Sequence, residues 1–333
     1  MKAVTLTGPG QVCITDIPEP KKQDGDLLLR VELVGLCGTD LNSYRGKNPL
    51  VTYPRVIGHE VAATVLEGTS SVPAGTRVVV SPYSNCGGCS ACRSGRFNAC
   101  QFNQTLGVQR DGAMTELLKV PEAKVYPSLL SLKELCLVEP LTVGMHAVSR
   151  ARVTKQDVVA VYGCGGVGLG AIAGAAFRGA MTIAIDLDDE KLETAKAAGA
   201  THLIHSQRDA VHERLQEITG GFGPDVIIEA IGLPETFRGA VEEVAFTGRV
   251  VYIGYAKNPV TYETKLFVQK ELDILGSRNA LPHDFAEVMR LLETGTFPVD
   301  RAVSAVVPLQ EAPAALARWS ENPASITKIM VSL

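Results

Sequence analysis

The chain has no run of more than two Lys or Arg residues. With a formal net charge of −4 over 333 residues, it offers no electrostatic footing for nucleic acid or a membrane surface. It also lacks an uninterrupted apolar stretch of about 18 residues, the length a membrane span needs. The first residues, Met1-Lys2-Ala3-Val4-Thr5-Leu6, run directly into strand-like alternation, without the apolar segment and small-residue cleavage site of a signal peptide. There is no internal repeat or low-complexity tract. These absences lead to the expectation of a cytoplasmic globular protein. In that compartment the eight cysteines point to metal ligands or buried thiols rather than disulfides.

With 46% hydrophobic and 20% charged residues, core-forming material is ample, and the length favours two domains. Residues 1 to about 135 read as β-rich: 27–34, 61–66 and 76–80 are short strand-like runs separated by Gly, Pro, Asp and Ser. From Asp157 the texture changes. Six strands are expected, at 158–162, 182–186, 202–205, 226–230, 249–253 and 272–275, with helices such as 189–198 and 209–219 between them. That alternation predicts a doubly wound parallel sheet. The tail from about Leu281 carries a helix at 284–292, then an apolar strand and a further helix.

Three motifs carry chemistry. Cys86, Cys89, Cys92 and Cys100 have the spacing C-x2-C-x2-C-x7-C on Gly- and Ser-containing turns. Four thiolates so placed suit a tetrahedral structural zinc with no open position, against an iron–sulfur cluster or four unligated thiols. Gly163-Cys164-Gly165-Gly166-Val167-Gly168 fits G-x-G-x-x-G between a strand and a small-residue helix, the context of a pyrophosphate-binding turn. Asp186 ends the next strand, where a carboxylate accepts ribose hydroxyls. Leu187 follows it, with no arginine to neutralise a 2′-phosphate, which favours NAD over NADP. Finally, His59-Glu60 lies at the mouth of an apolar run. With Cys37 and Glu139 it would make one thiolate, one imidazole and two carboxylates, enough for a catalytic zinc. Spacing alone does not show that these four meet, and each has a structural explanation taken singly.

The residues Cys37-Gly38-Thr39-Asp40, Gly58-His59-Glu60, the four clustered cysteines, Glu139-Pro140-Leu141 and Gly163 to Gly168 occur in an order that resembles the zinc-dependent medium-chain alcohol and sorbitol dehydrogenase family, over nearly the whole chain. The resemblance implies an α/β protein: a GroES-like β-rich catalytic domain (1–140 and 281–333) and a Rossmann NAD-binding domain (141–280). It implies two zinc ions per chain, one catalytic on Cys37, His59, Glu60 and Glu139 and one structural, with Thr142 among the cofactor-binding residues. It further implies a small-molecule substrate and a homo-oligomer, dimer or tetramer.

Glu139, where alcohol dehydrogenases usually place a cysteine, is similar to the polyol and sugar-acid branch, and Leu275-Gly276-Ser277-Arg278-Asn279 is similar to L-galactonate-type enzymes. Arg278 is thereby a candidate for hydroxyl or carboxylate recognition. The implied reaction is zinc-assisted deprotonation of a secondary alcohol and hydride transfer to NAD, giving a ketone, with Thr39 passing on the proton and Glu60 and Glu139 at the metal. Two departures stand out. Asn42 replaces a common relay histidine, which predicts no histidine-like step from this position in the activity profile. Ala63 replaces a common glycine. The alternatives are a simple alcohol dehydrogenase, or a non-catalytic dinucleotide-sensing zinc protein with no use for Cys37, His59 and Glu139. His146, His202, His205, His212 and His283 are expected to be structural or surface residues, Cys164 a packing residue, and Cys13 and Cys136 buried thiols.

Overall fold

Alternation of apolar and polar side chains in the first third of the chain becomes antiparallel sheet. In strand β3 (Asp26–Leu36), Leu27, Leu29 and Val31 are buried while Arg30 faces out. The computed structural model describes residues 1–322 and 326–333 and divides into two units, Met1–Glu139 with Val299–Leu333, and Pro140–Pro298.

The first unit opens with β1 (Lys2–Gly8) and β2 (Gln11–Asp16), which with β4 (Arg55–Val56) form a three-stranded sheet in the order β2-β1-β4. Helix α1 (Gly38–Tyr44) follows β3. Strands β5 (Glu60–Glu67), β6 (Arg77–Val80), β7 (Leu117–Pro121) and β8 (Val125–Pro127) extend the larger sheet around β3, and α2 (Ser90–Arg93) sits in the cysteine segment. Helix α3 (Leu132–Arg150) carries the chain into the second unit.

There β9 (Val158–Tyr162), α4 (Gly166–Phe177), β10 (Met181–Asp186), α5 (Asp189–Ala197), β11 (His202–His205), α6 (Val211–Thr219), β12 (Val226–Glu229), α7 (Pro234–Glu243), β13 (Arg249–Tyr252), α8 (Lys265–Gln269), β14 (Asp273–Gly276) and α9 (Pro282–Glu293) alternate. The six strands are parallel in the order β11-β10-β9-β12-β13-β14. That is the doubly wound order whose direction reverses between β9 and β12, the place where such sheets bind ligands at their carboxyl ends. The chain then returns to the first unit through α10 (Val299–Ala302), β15 (Ala305–Pro308), α11 (Ala312–Glu321) and β16 (Ile329–Ser332), completing a seven-stranded sheet ordered β15-β16-β3-β5-β6-β8 with β7 also on β3.

The observed division differs from the expected 141–280 and 281–333 at its second boundary. Helix α9 stays with the parallel sheet because its Asp284 is fully buried against α3, accepting from Ser149 Oγ and lying 2.8 Å from His146 Nδ1. Its Glu287 also receives two guanidinium bonds from Arg178, and Phe285, Val288, Leu291 and Leu292 are buried. His146 is thus the structural histidine expected. Cys13 is a correction: it lies exposed on β2 rather than buried. Among the described residues, no helix is long and apolar enough to cross a membrane.

Candidate active site

The turn after β3 is held by Asp40. Its Oδ2 accepts the backbone N–H of Cys37 at 2.9 Å, closing the start of α1, while its Oδ1 accepts from Gly58 N at 3.3 Å and lies 3.8 Å from His59 Nδ1. One fully buried carboxylate therefore ties the Cys37 turn to the His59 turn. Cys37, His59 and Glu60 offer ligand atoms that lie within 4.8 Å of one another. With Nδ1 turned to Asp40, His59 keeps its other nitrogen for the Cys37 side. Thr39 Oγ1 is 3.7 Å from Cys37 Sγ, and Asn42 lies on the same helix, half-buried. Ala63, fully buried in β5 opposite Val31, belongs to the sheet core.

Glu60 begins β5, and its surroundings revise its expected role. Lys328 Nζ donates to both carboxylate oxygens, at 2.5 and 2.6 Å, and to Leu36 O at 3.2 Å. The pairing of Ile329 with Leu36 in β16 and β3 places Lys328 beside the Cys37 turn. A Cβ on Gly35 would stand 1.9 Å from Glu60 Oε2, so the pair fits only against glycine. Glu60 is therefore a lysine-bound carboxylate whose oxygens also lie beside Cys37 and His59.

Glu139 does not complete the 4.8 Å group among the described residues. It is buried on α3 close enough to influence His59, and Tyr83 Oη donates to its Oε1. Sequence reasoning missed both Lys328 and Tyr83. One stands before an apolar strand and the other in a polar loop, and neither segment carries a local signal of its role.

The electrostatics fit a cation. Burial raises the pKa of Asp40 and of Glu139 above the usual carboxylate range. Burial alone would lower His59, but Asp40, Cys37 and Glu139 raise it well above its ordinary value. A dry set of one thiol, one imidazole and several acidic groups is what a zinc ion neutralises, and its charge would reverse these shifts.

Four further cysteines form a second cluster in the same unit. Cys86, Cys89, Cys92 and Cys100 offer sulfurs within 4.8 Å of one another. Backbone N–H groups already face them: Cys86 N donates to Cys100 Sγ at 3.3 Å and Cys89 N to Cys86 Sγ at 3.4 Å. Backbone donors at Cys92 and Gln101 pull the Cys89 thiol down to about 6, toward the thiolate a metal requires. Cys100→Ser is expected to remove one zinc per chain and open residues 86–100 to protease while NADH binding persists. Metal analysis with limited proteolysis checks this.

In the second unit, Gly163 has φ +96°, which a side chain would strain, and a Cβ on Gly168 would stand 1.8 Å from Gly163 O. Helix α4 therefore packs tightly on β9, with Gly165 as its N-cap and Gly166 and Val167 in its first turn. A Cβ on Gly165 would meet nothing within 4 Å, which leaves room at the helix N-terminus for a phosphate. Asp186 joins this turn: its Oδ2 accepts Cys164 N at 2.7 Å and its Oδ1 accepts Leu187 N at 2.7 Å. Thr142 is fully buried on α3, and Arg278 is exposed after β14.

A sheet unit with a clustered thiol–imidazole–carboxylate set, a four-cysteine cluster and a Rossmann unit define a metal- and dinucleotide-dependent oxidoreductase. Residues 23–130 match the alcohol dehydrogenase GroES-like domain and 166–294 the zinc-binding dehydrogenase family. The chain is 32% identical to sorbitol dehydrogenase of Bacillus subtilis, covering 99% of this chain and 97% of that one. It is 33% identical to L-galactonate-5-dehydrogenase of Escherichia coli K12, covering 86% and 84%. The crystal structure of short chain alcohol dehydrogenase RspB from E. coli CFT073, complexed with NADH, superimposes with TM-score 0.91 at 29% identity over 100% of this chain and 99% of that one. The chain belongs to the zinc-type medium-chain alcohol and polyol dehydrogenase family, whose cofactors are zinc and a nicotinamide dinucleotide.

Proposed function

We propose that the protein oxidises a secondary hydroxyl of a polyol, sugar or sugar acid of the L-galactonate kind to a ketone, with NAD as hydride acceptor. The observation that carries this reading is the close set of half-buried Cys37 and buried His59 and Glu60 with Glu139 beside it, in a family that includes enzymes for such substrates. In this reading Cys37 and His59 hold the catalytic zinc directly. Glu139, released from Tyr83, supplies an oxygen ligand, and Glu60 stays paired with Lys328 and balances the charge. When bound, zinc stabilises the alkoxide form of the alcohol, and the nicotinamide takes the hydride. Thr39 holds the substrate hydroxyl and relays its proton, giving its own hydroxyl proton to water as it accepts the substrate's, since Asn42 cannot titrate. Arg278 recognises a hydroxyl or carboxylate of the substrate. Gly163, Gly165, Gly166, Val167 and Gly168 take the pyrophosphate, and Thr142 supports the cofactor from α3. The assembly is a homo-oligomer, and the enzyme is placed in the cytoplasm, where the cysteine ligands stay reduced.

A panel of alditols, aldonates and simple secondary alcohols, followed by NADH absorbance, tests the substrate class. Turnover of the polyhydroxylated compounds is expected. Turnover of simple alcohols alone would sink this choice in favour of a simple alcohol dehydrogenase.

Asp186 is the proposed ribose ligand. Its carboxylate, fixed by the Cys164 and Leu187 amides, repels a 2′-phosphate. Asp186→Ser with Leu187→Arg is expected to move the NAD/NADP ratio of kcat/KM toward NADP by about 10²-fold, roughly the effect of one new charge-assisted bond and one repulsion removed. An unchanged ratio in steady-state assays would show that Asp186 does not read the ribose.

A further inference from the structure

Glu229, the last residue of β12, is fully buried and lies outside the metal site. It has no ion-pair partner among the described residues. Its Oε1 accepts three bonds, from Ile231 N at 2.9 Å, Gly232 N at 2.8 Å and Thr236 Oγ1 at 2.7 Å, while its Oε2 is buried without a hydrogen-bond partner. A carboxyl so placed is costly to bury, and burial raises its pKa above the usual range, favouring the neutral form.

What it does hold is the turn between β12 and α7. That turn projects Ile231 back across the sheet switch point: a Cβ on Gly163 would stand 2.7 Å from Ile231 Cγ1. Ile231 is 43% exposed, so it caps the glycine-rich turn without being buried by it. The following loop is held by the backbone of the same residue and packs close to its side chain. Glu229 O accepts Ile253 N and Gly254 N, and a Cβ on Gly254 would stand 2.4 Å from both Glu229 Oε2 and Gly232 N. The turn leaving β12 thus closes on the Glu229 carboxyl group and the loop leaving β13 on its backbone carbonyl, at the end of the sheet where a dinucleotide lies against β9.

We propose that Glu229 is a positioning residue for the dinucleotide: as a buried acceptor it fixes the β12–α7 turn that sets Ile231 against the phosphate-binding glycines. It touches no cofactor atom itself. The assignment rests on the dinucleotide reading above. It predicts that the position of the acceptor oxygen decides the affinity.

The test is NADH affinity by fluorescence titration of the zinc-loaded protein and its Glu229→Gln, Glu229→Asp and Glu229→Leu variants, with melting temperature and zinc content measured in parallel. Gln retains an acceptor oxygen at the same reach, and its Kd is expected within about threefold of wild type. Asp keeps a carboxyl but withdraws it by one methylene, and Leu removes it; each is expected to weaken NADH at least about tenfold, with zinc content unchanged. Rescue by Gln but not by Asp separates positioning from a merely structural role, which would lower stability without that order of affinities. If Leu does not fold, the Gln and Asp pair decides alone. Asp binding as tightly as Gln, or Gln failing as badly as Asp, would overturn the proposal. Absence of NADH binding by the wild type would instead overturn the dinucleotide reading itself.

Discussion

Replacing Lys328 by Met is expected to destabilise the first unit by about 3–5 kcal/mol, the cost of stripping one partner from a buried ion pair. The side chains of Lys328 and Glu60 are 5% and 0% exposed, and the lysine fills both oxygens of the carboxylate as well as Leu36 O. Without it, Glu60 is left among Cys37, Glu139 and the thiol of Cys136, which donates to the Glu60 backbone carbonyl at 3.4 Å. Such a loss is a large part of the stability of an ordinary domain, so unfolding should begin about 6–20 °C lower or at much less denaturant.

The sign with pH is clear. Burial works against the charged lysine, but Glu60 and Cys37 raise its pKa above the free value. Its contribution is therefore present in full below about pH 10 and fades only as pH rises through the folded value. The double variant Lys328→Met with Glu60→Gln should recover more than half of the loss, because the orphaned charge is gone. Urea unfolding of the three proteins at neutral pH checks this, and equal losses for the single and double variants would contradict it.

The second large effect is on turnover. His59→Ala is expected to lower kcat/KM by about 10³-fold or more, since a metal that stabilises developing charge supplies several kcal/mol and each 1.36 kcal/mol is tenfold. The imidazole is 5% exposed and is the one nitrogen ligand in the Cys37–His59–Glu60 group. Zinc content should fall by one ion per chain. NADH binding should remain, because the glycine-rich turn and Asp186 belong to the other unit. Loss of turnover with both zinc ions retained would place the effect in folding or proton transfer instead.

Most of the architecture was legible because it is written locally. β-Branched runs such as Val158-Val159-Ala160-Val161 and Val226-Ile227-Ile228 form buried parallel strands, and the six expected strands match the observed ones to within a residue or so at each end. The cysteine spacing likewise announces its own cluster, since four sulfurs within fifteen residues need only local turns to meet.

What was not legible depends on tertiary pairing. Lys328 is separated from Glu60 by 268 residues, and only the register of β16 on β3 brings them together. The Lys328 partner of Glu60 was therefore invisible in the sequence. Helix α9 reads as an ordinary amphipathic segment, and its allegiance to the second unit is decided by Asp284 meeting His146 across 138 residues. Tyr83 and Glu229 show the same limit. Each is a single polar residue in or beside an apolar run, and its role comes from what it meets after folding.

The most direct test of the central claim is a titration with a zinc chelator, following zinc per chain, NADH binding and NAD reduction on a polyol or sugar-acid substrate in the same samples. Removing the zinc proposed at Cys37 and His59 is expected to abolish NAD reduction while NADH binding persists, and restoring zinc to restore turnover. Sustained turnover by protein stripped of that zinc would contradict it.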